Sequence, residues 1–212
     1  MKCNCSGIVT GLVLGLGIAG AAFSIGQGEK QPEPKGDDRA AMASDPKAMQ
    51  AWMDSMKLGK HHEGMKKYVG EWVTSTKIMM PGAPEMPPTA GSAKFEMMMD
   101  GRYLLQTYKG NMMGQPMEGL GIMGYDNNRK LFVNSWVDNF MTGIMPMKGN
   151  LSEDGKILTM IGEMDEPMTG EMGKAVRSRT IWIDDNTFKF TMDEILYGEP
   201  FTVVEVTYTR KK

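Results

Sequence analysis

Two hydrophobic periods divide the chain. In "SDPKAMQAWMDSMKLGK", Met49, Trp52, Met53 and Met56 recur at i, i+3, i+4 and i+7, which gathers them on one face of a helix. Ser44 or Asp45 suits the N-cap, Pro46 the first turn and Gly59 the C-terminal stop. A second short helix is expected from His61 to about Tyr68, ending at Gly70. From Trp72 onward the period becomes that of strands. "EWVTSTKIMM", "SAKFEMMMD", "RYLLQTYKG", "GLGIMGYD", "KLFVNSWVD", "MTGIMPMKG", "KILTMIGEM", "AVRSRTIWID", "TFKFTMDEIL" and "FTVVEVTYTR" are each of strand length. Turn chemistry separates most of them, as at Asp126-Asn127-Asn128, Ser152-Glu153-Asp154-Gly155 and Asp184-Asp185-Asn186.

About ten short strands with no room for crossover helices imply an antiparallel meander. Twist and exposed edges penalise a flat sheet of that size. The expectation is a mainly β fold: an up-and-down, lipocalin-like barrel with the helices packed over one end.

Ahead of this region the composition changes twice. Gly7 to Phe23 is uncharged and mostly apolar, follows Lys2 and ends in small residues. This is the pattern of a secretory signal cleaved after about Ala21 to Ser24, with an uncleaved membrane anchor as the alternative. Residues 25–43 are rich in Gly, Pro and charge and read as a flexible linker. The expected organisation is therefore a signal peptide over 1–24, a linker over 25–43 and a barrel domain over 44–212, with a periplasmic or extracellular destination. Cys3 and Cys5 both precede the apolar run, so a cleaved chain has no disulfide and no thiol chemistry.

Composition narrows the function classes. A hydrophobic fraction of 41% supports a real core, and a net charge of -2 with interleaved signs argues against a nucleic-acid partner. Membrane contact is expected only through an uncleaved N-terminal segment. The oligomeric state is not encoded in any feature of the sequence.

Gly70-Glu71-Trp72 opens the first strand and Tyr208-Thr209-Arg210 ends the last. Lipocalin-like barrels begin with Gly-x-Trp, the Trp filling the closed end beneath an Arg from the last strand, and the sequence resembles that arrangement. It also resembles the uncharacterised bacterial domain of unknown function 1579 family. His61, Gly70-Glu71-Trp72, Pro81-Gly82-Ala83-Pro84 and Gly101-Arg102-Tyr103 carry that resemblance. So do "GNMMGQPMEGLGIMGYDNNRKLFVNSWVDN", Thr142-Gly143, Pro167-Met168-Thr169-Gly170 and Tyr208-Thr209-Arg210. The resemblance implies a small lipocalin-like barrel in which Gly70, Trp72 and Arg210 build the closed end. It implies no activity. "MMMDGR" departs from the family pattern at Met98, Met99 and Asp100.

Candidate chemistry is sparse. His61 and His62 are adjacent, about 100° apart on a helix, and do not form a chelating pair. No strand carries His or Cys, so an axial haem ligand from the barrel wall is lacking and no cofactor is implied. There is no Gly-x-Ser-x-Gly elbow, and Asp126, Asp138, Glu163 and Glu194 near strand ends have no fixed spacing. Methionine is the outlier, at 24 residues. Thioethers suit Cu(I), and Met97, Met98, Met99, Met112, Met113, Met117, Met141, Met145 and Met147 cluster locally. Met is also a flexible apolar filler of cores and pockets.

The barrel interior is the remaining site. Trp136 and Asp138 share a strand face, as do Arg177 and Arg179, and Tyr103 and Leu105. Tyr103, Trp136, Asp138, Arg177 and Arg179 are the candidate ligand-binding residues for a small apolar or amphipathic ligand, with arginine anchoring a carboxylate head. The opposite phase turns Val176, Ser178, Thr180 and Trp182 inward instead, and the mixed polarity of that strand leaves the choice open. A barrel with a filled interior, a Cu(I) handler and an enzyme are the alternatives.

Overall fold

The computed structural model describes residues 44–212 except Met168 and Tyr197. The signal segment and linker expected over 1–43 lie outside the described residues. Helix α1 spans Pro46–Met56, α2 spans Lys60–Met65, and a 3-10 turn, Lys66–Tyr68, leads into the sheet. Ten strands follow: β1 (Gly70–Ile78), β2 (Thr89–Met98), β3 (Tyr103–Met112), β4 (Gln115–Asp126), β5 (Leu131–Asp138), β6 (Met145–Leu151), β7 (Ile157–Glu166), β8 (Glu171–Asp184), β9 (Thr187–Leu196) and β10 (Glu199–Arg210).

Each strand pairs antiparallel with its sequence neighbour, and β1 pairs with β10 to close the barrel. Closure satisfies the edge donors and acceptors that an open sheet would expose. The expected turns carry their own bonds. The Asp126 carboxylate accepts from the N–H groups of Asn128 and Arg129. The Ser152 hydroxyl donates to Asp154, and the Asp184 carboxylate accepts from the Asn186 N–H. A two-residue turn at Met113-Gly114, with φ of 51° and 84°, joins β3 to β4. Both values are left-handed, as tight hairpins require. In "MMMDGR", Met99 and Asp100 take φ of 51° and 57°. Met99 therefore sits in a turn and does not share a strand face with Met97.

The helices depart from expectation. Asp45 caps α1 by accepting from the Lys47 N–H, and Pro46 occupies the first turn. Yet α1 buries no residue, and Trp52 is 60% exposed. Its apolar face does not pack over the barrel. The helix is tied on by the Asn127 amide, which donates to the carbonyls of Ser55 and Lys57. Gly59 is the N-cap of α2 rather than the end of α1. The short α2 and the 3-10 turn do cover one end, inserting Met65 and Tyr68 into the core.

Candidate functional site

Strand alternation decides which side chains see the lumen. On β1, Trp72, Thr74 and Thr76 are buried while Glu71, Val73 and Ser75 are exposed. The paired registers carry this phase around the barrel. It puts Ala93, Phe95 and Met97, then Leu104, Gln106 and Tyr108, on the inner face. Met117, Gly119, Gly121 and Met123 follow on β4, and Phe132, Asn134 and Trp136 on β5.

The end beneath α2 is closed by aromatic packing. The rings of Trp72 and Phe188 meet edge-on at 4.7 Å, and Phe188 stacks on Tyr208 at 4.3 Å. The Trp72 indole N–H donates to the Tyr68 carbonyl at 2.8 Å. Arg210 lies 4.2 Å above the Trp72 ring. Its guanidinium donates to the carbonyls of Val69 and Lys67, both at 2.7 Å. Gly70 has φ of 127°, and a Cβ there would approach the Arg210 guanidinium to 3.0 Å, so glycine opens the strand. Burial pushes the Tyr68 hydroxyl up to about 12. His61 stacks on Tyr125 at 4.1 Å, and His62 accepts from the Gly59 N–H at 3.1 Å. Loss of solvent, reinforced by Lys60 and His62, holds the His61 imidazole below its ordinary value.

Midway up, the lumen turns polar. Thr76 and Tyr108 share a hydrogen bond of 2.8 Å, and the Gln106 amide donates to the Tyr208 hydroxyl at 3.1 Å. The Thr74 hydroxyl is buried without a protein partner. Beyond Gly70, six described inward positions carry no side chain: Gly91, Gly110, Gly119, Gly121, Gly149 and Gly162. The Trp136 indole lies flat over two of them. A Cβ at Gly119 would come within 2.2 Å of the ring, and one at Gly121 within 3.3 Å. Trp136 thus lies along the wall instead of crossing the lumen, and its N–H donates to Asp138 at 2.8 Å.

Toward the end away from α2 the inward side chains are mainly methionine. Met117, Trp136, Met145, Met164 and Met192 pack against the core yet are only half-buried. Deeper in, the Ser178 hydroxyl lies 3.6 Å from the Met147 sulfur, and the buried Met160 flanks Ser178 on β7. At the rim, Lys174 pairs with Glu194 at 2.7 Å, both buried. The bond from Glu194 leads the causes that raise Lys174 above its ordinary value.

The candidate residues read from the sequence fall in different places. Trp136 and Asp138 meet at the lumen wall. Arg177 and Arg179 do not reach it, which corrects the expected arginine anchor. Val176, Ser178, Thr180 and Trp182 face inward, in register with Glu194, Met192, Phe190 and Phe188. Both arginines lie on the outer wall and converge on Asp193 at 2.8 and 3.4 Å. The Thr202 hydroxyl donates to the other Asp193 oxygen at 2.7 Å. Burial alone would raise the Asp193 carboxyl, but Thr202 and the two arginines outweigh it and hold the group below its ordinary value. Tyr103 is also on the outer face, over Gly124. It lines a cleft of 210 Å³ between the end of α1 and the β2–β3 turn, with Leu58, His62, Arg102 and Asn127. Gln106, Tyr108, Asn134 and the inward glycines were not singled out from the sequence. The signal for the glycines was present in the Gly119-x-Gly121 alternation, which pairs with Trp136 and Asp138.

Among the described residues no group of three His, Cys, Asp or Glu is placed to hold a metal. The methionine clusters divide: Met97, Met117, Met145 and Met147 face inward, while Met99 and Met113 occupy turns.

Residues 57–210 match the family described as "Protein of unknown function (DUF1579)", and the chain belongs to that family. Comparison with curated proteins returns no match. Among solved structures, Rv2717c from M. tuberculosis aligns at a TM-score of 0.54 with 13% identity. That alignment covers 74% of this chain and 100% of the other, and at such identity it speaks to fold alone. A redesigned β-barrel aligns at a TM-score of 0.36, with 14% identity over 70% of this chain and 96% of the other. A protein of unknown function from the DUF3598 family of Nostoc punctiforme aligns at 0.23, with 10% identity over 73% of this chain and 100% of the other.

Proposed function

We propose that this barrel binds a small apolar or amphipathic molecule in the open half of its lumen. The observation that carries the reading is the contrast between the two ends. Side chains at the floor are buried, whereas Met117, Trp136, Met145, Met164 and Met192 remain half-exposed around inward glycines. Small barrels either fill their interior or hold one ligand, and wall positions without side chains favour the second. Thioethers are polarisable and adapt their shape, which suits an apolar guest. The N-terminal apolar run supports export as part of the same reading.

Native mass spectrometry of protein purified from its own host tests the proposal, together with displacement of an environment-sensitive apolar dye. A co-purifying mass that the dye displaces is the expected result. A second reading, a structural barrel with a filled interior, draws on the dense aromatic floor. It is favoured if no guest co-purifies and the dye stays unbound.

A further inference from the structure

Gln106 and Trp136 meet at one gap in the lumen wall, and Asn134 occupies the next inward position on β5. The gap is Gly121 on β4, which pairs with Gln106 on β3 and with Trp136 on β5. A Cβ there would lie 3.4 Å from the Gln106 carbonyl oxygen and 3.3 Å from the Trp136 ring, so both side chains lean over the same spot. The Gln106 amide nitrogen is committed to Tyr208, which leaves its oxygen turned to this gap. One step deeper on β5, Asn134 faces inward between Met123 and Met147. Its amide is half-buried and has no hydrogen-bond partner among the described residues. The gap therefore offers a carbonyl acceptor from Gln106 and an aromatic wall, and the adjacent inward position of β5 adds the acceptor and donors of Asn134.

Among the described residues, no unpaired charge faces this spot. Lys174 is paired with Glu194, and Asp138 accepts from Trp136, Phe140 and Met141. Arg177 and Arg179 are outside. A carboxylate brought to Gly121 would lose its water and find no cation, whereas an uncharged donor–acceptor group would satisfy both amides.

We infer that the lumen selects ligands with a neutral hydrogen-bonding head, such as an alcohol or primary amide on an alkyl chain, held by Asn134 and Gln106 beside Gly121. The inference rests on the lumen-binding reading and narrows its ligand class.

Dye displacement by decanol, decanamide and decanoate at pH 8 tests it on the folded protein. The neutral probes are expected to displace the dye at concentrations at least about 10-fold lower than decanoate, given the cost of burying an unpaired carboxylate. Asn134→Leu should erase most of the advantage of decanamide over decanoate, each read against that variant's own dye affinity. Should Asn134→Leu fail to fold, Gln106→Met gives the same readout. Decanoate binding as well as decanol, or a preference unchanged in both variants, overturns the inference and leaves the lumen reading standing. A protein that binds neither dye nor any probe overturns both.

Discussion

Arg210 lies across Trp72, with its guanidinium 4.2 Å from the ring, and spends its N–H groups on the carbonyls of Val69 and Lys67. One residue of the last strand thereby locks the first strand and the preceding 3-10 turn. The cation–π contact is worth about 0.5 to 2 kcal/mol. Trp72→Ala is expected to cost about 3 to 5 kcal/mol, as a core truncation. Arg210→Lys should recover little of the loss seen in Arg210→Ala, because an ammonium lacks the planar fork. Urea unfolding midpoints check both. Unchanged stability with lost dye binding in Trp72→Ala would move this Trp from the floor to the site.

Asp193 is a stability residue of the outer wall. Asp193→Asn leaves Arg177 and Arg179 facing each other without a countercharge. Removing one member of a buried charge cluster costs about 3 to 5 kcal/mol, and the partial exposure of the arginines places the expected loss at about 2 to 3. Because the native carboxyl is held low, its contribution is complete above the ordinary carboxylate range and is lost as pH falls through the native value. Dye affinity should not change. A weakened affinity with intact stability would return the arginines to the binding site.

His61 gives acid sensitivity of the same sign from a different cause, the burial of a neutral imidazole. Its imidazole is held below its ordinary value by burial against Tyr125, so below the ordinary histidine pKa the unfolded chain binds more protons than the folded one. Stability should therefore fall as pH drops from neutrality through that range. Thermal midpoints across pH 5 to 8, a window set by the ordinary histidine pKa of about 6.5, should show a shallower decline in His61→Phe than in wild type. Equal slopes would remove His61 as the cause.

Gly119→Ala tests the flat wall. The added Cβ would meet the Trp136 ring at 2.2 Å and push it into the lumen. Dye affinity should fall while the fold, read by far-UV circular dichroism, persists. An unaltered affinity would mean that the guest does not lie against Trp136.

The strands, the turns and the Trp72–Arg210 pairing were legible in the sequence because each depends on local chemistry or on an extreme of the chain. The phase of β8 was not. Val176, Ser178, Thr180 and Trp182 are as mixed in polarity as Arg177 and Arg179 with their neighbours, and only Asp193 and Thr202, from two other strands, explain why the arginines turn outward. The apolar stripe of α1 correctly predicted a helix but not its burial, since periodicity records a face and not a partner. Gln106 and Asn134 carried no signal in the sequence, because their inward placement follows from the register across β3, β4 and β5 and not from a local motif.

Methionine methyl groups test the central claim most directly. In protein labelled with 13C at the methionine methyls, apolar dye is added stepwise and the methyl shifts are followed. The lumen account predicts that Met117, Met145, Met164 and Met192 move with saturation while the exposed Met99, Met113 and Met172 do not. Shifts confined to the exposed methionines, or no saturable shift at all, would contradict it.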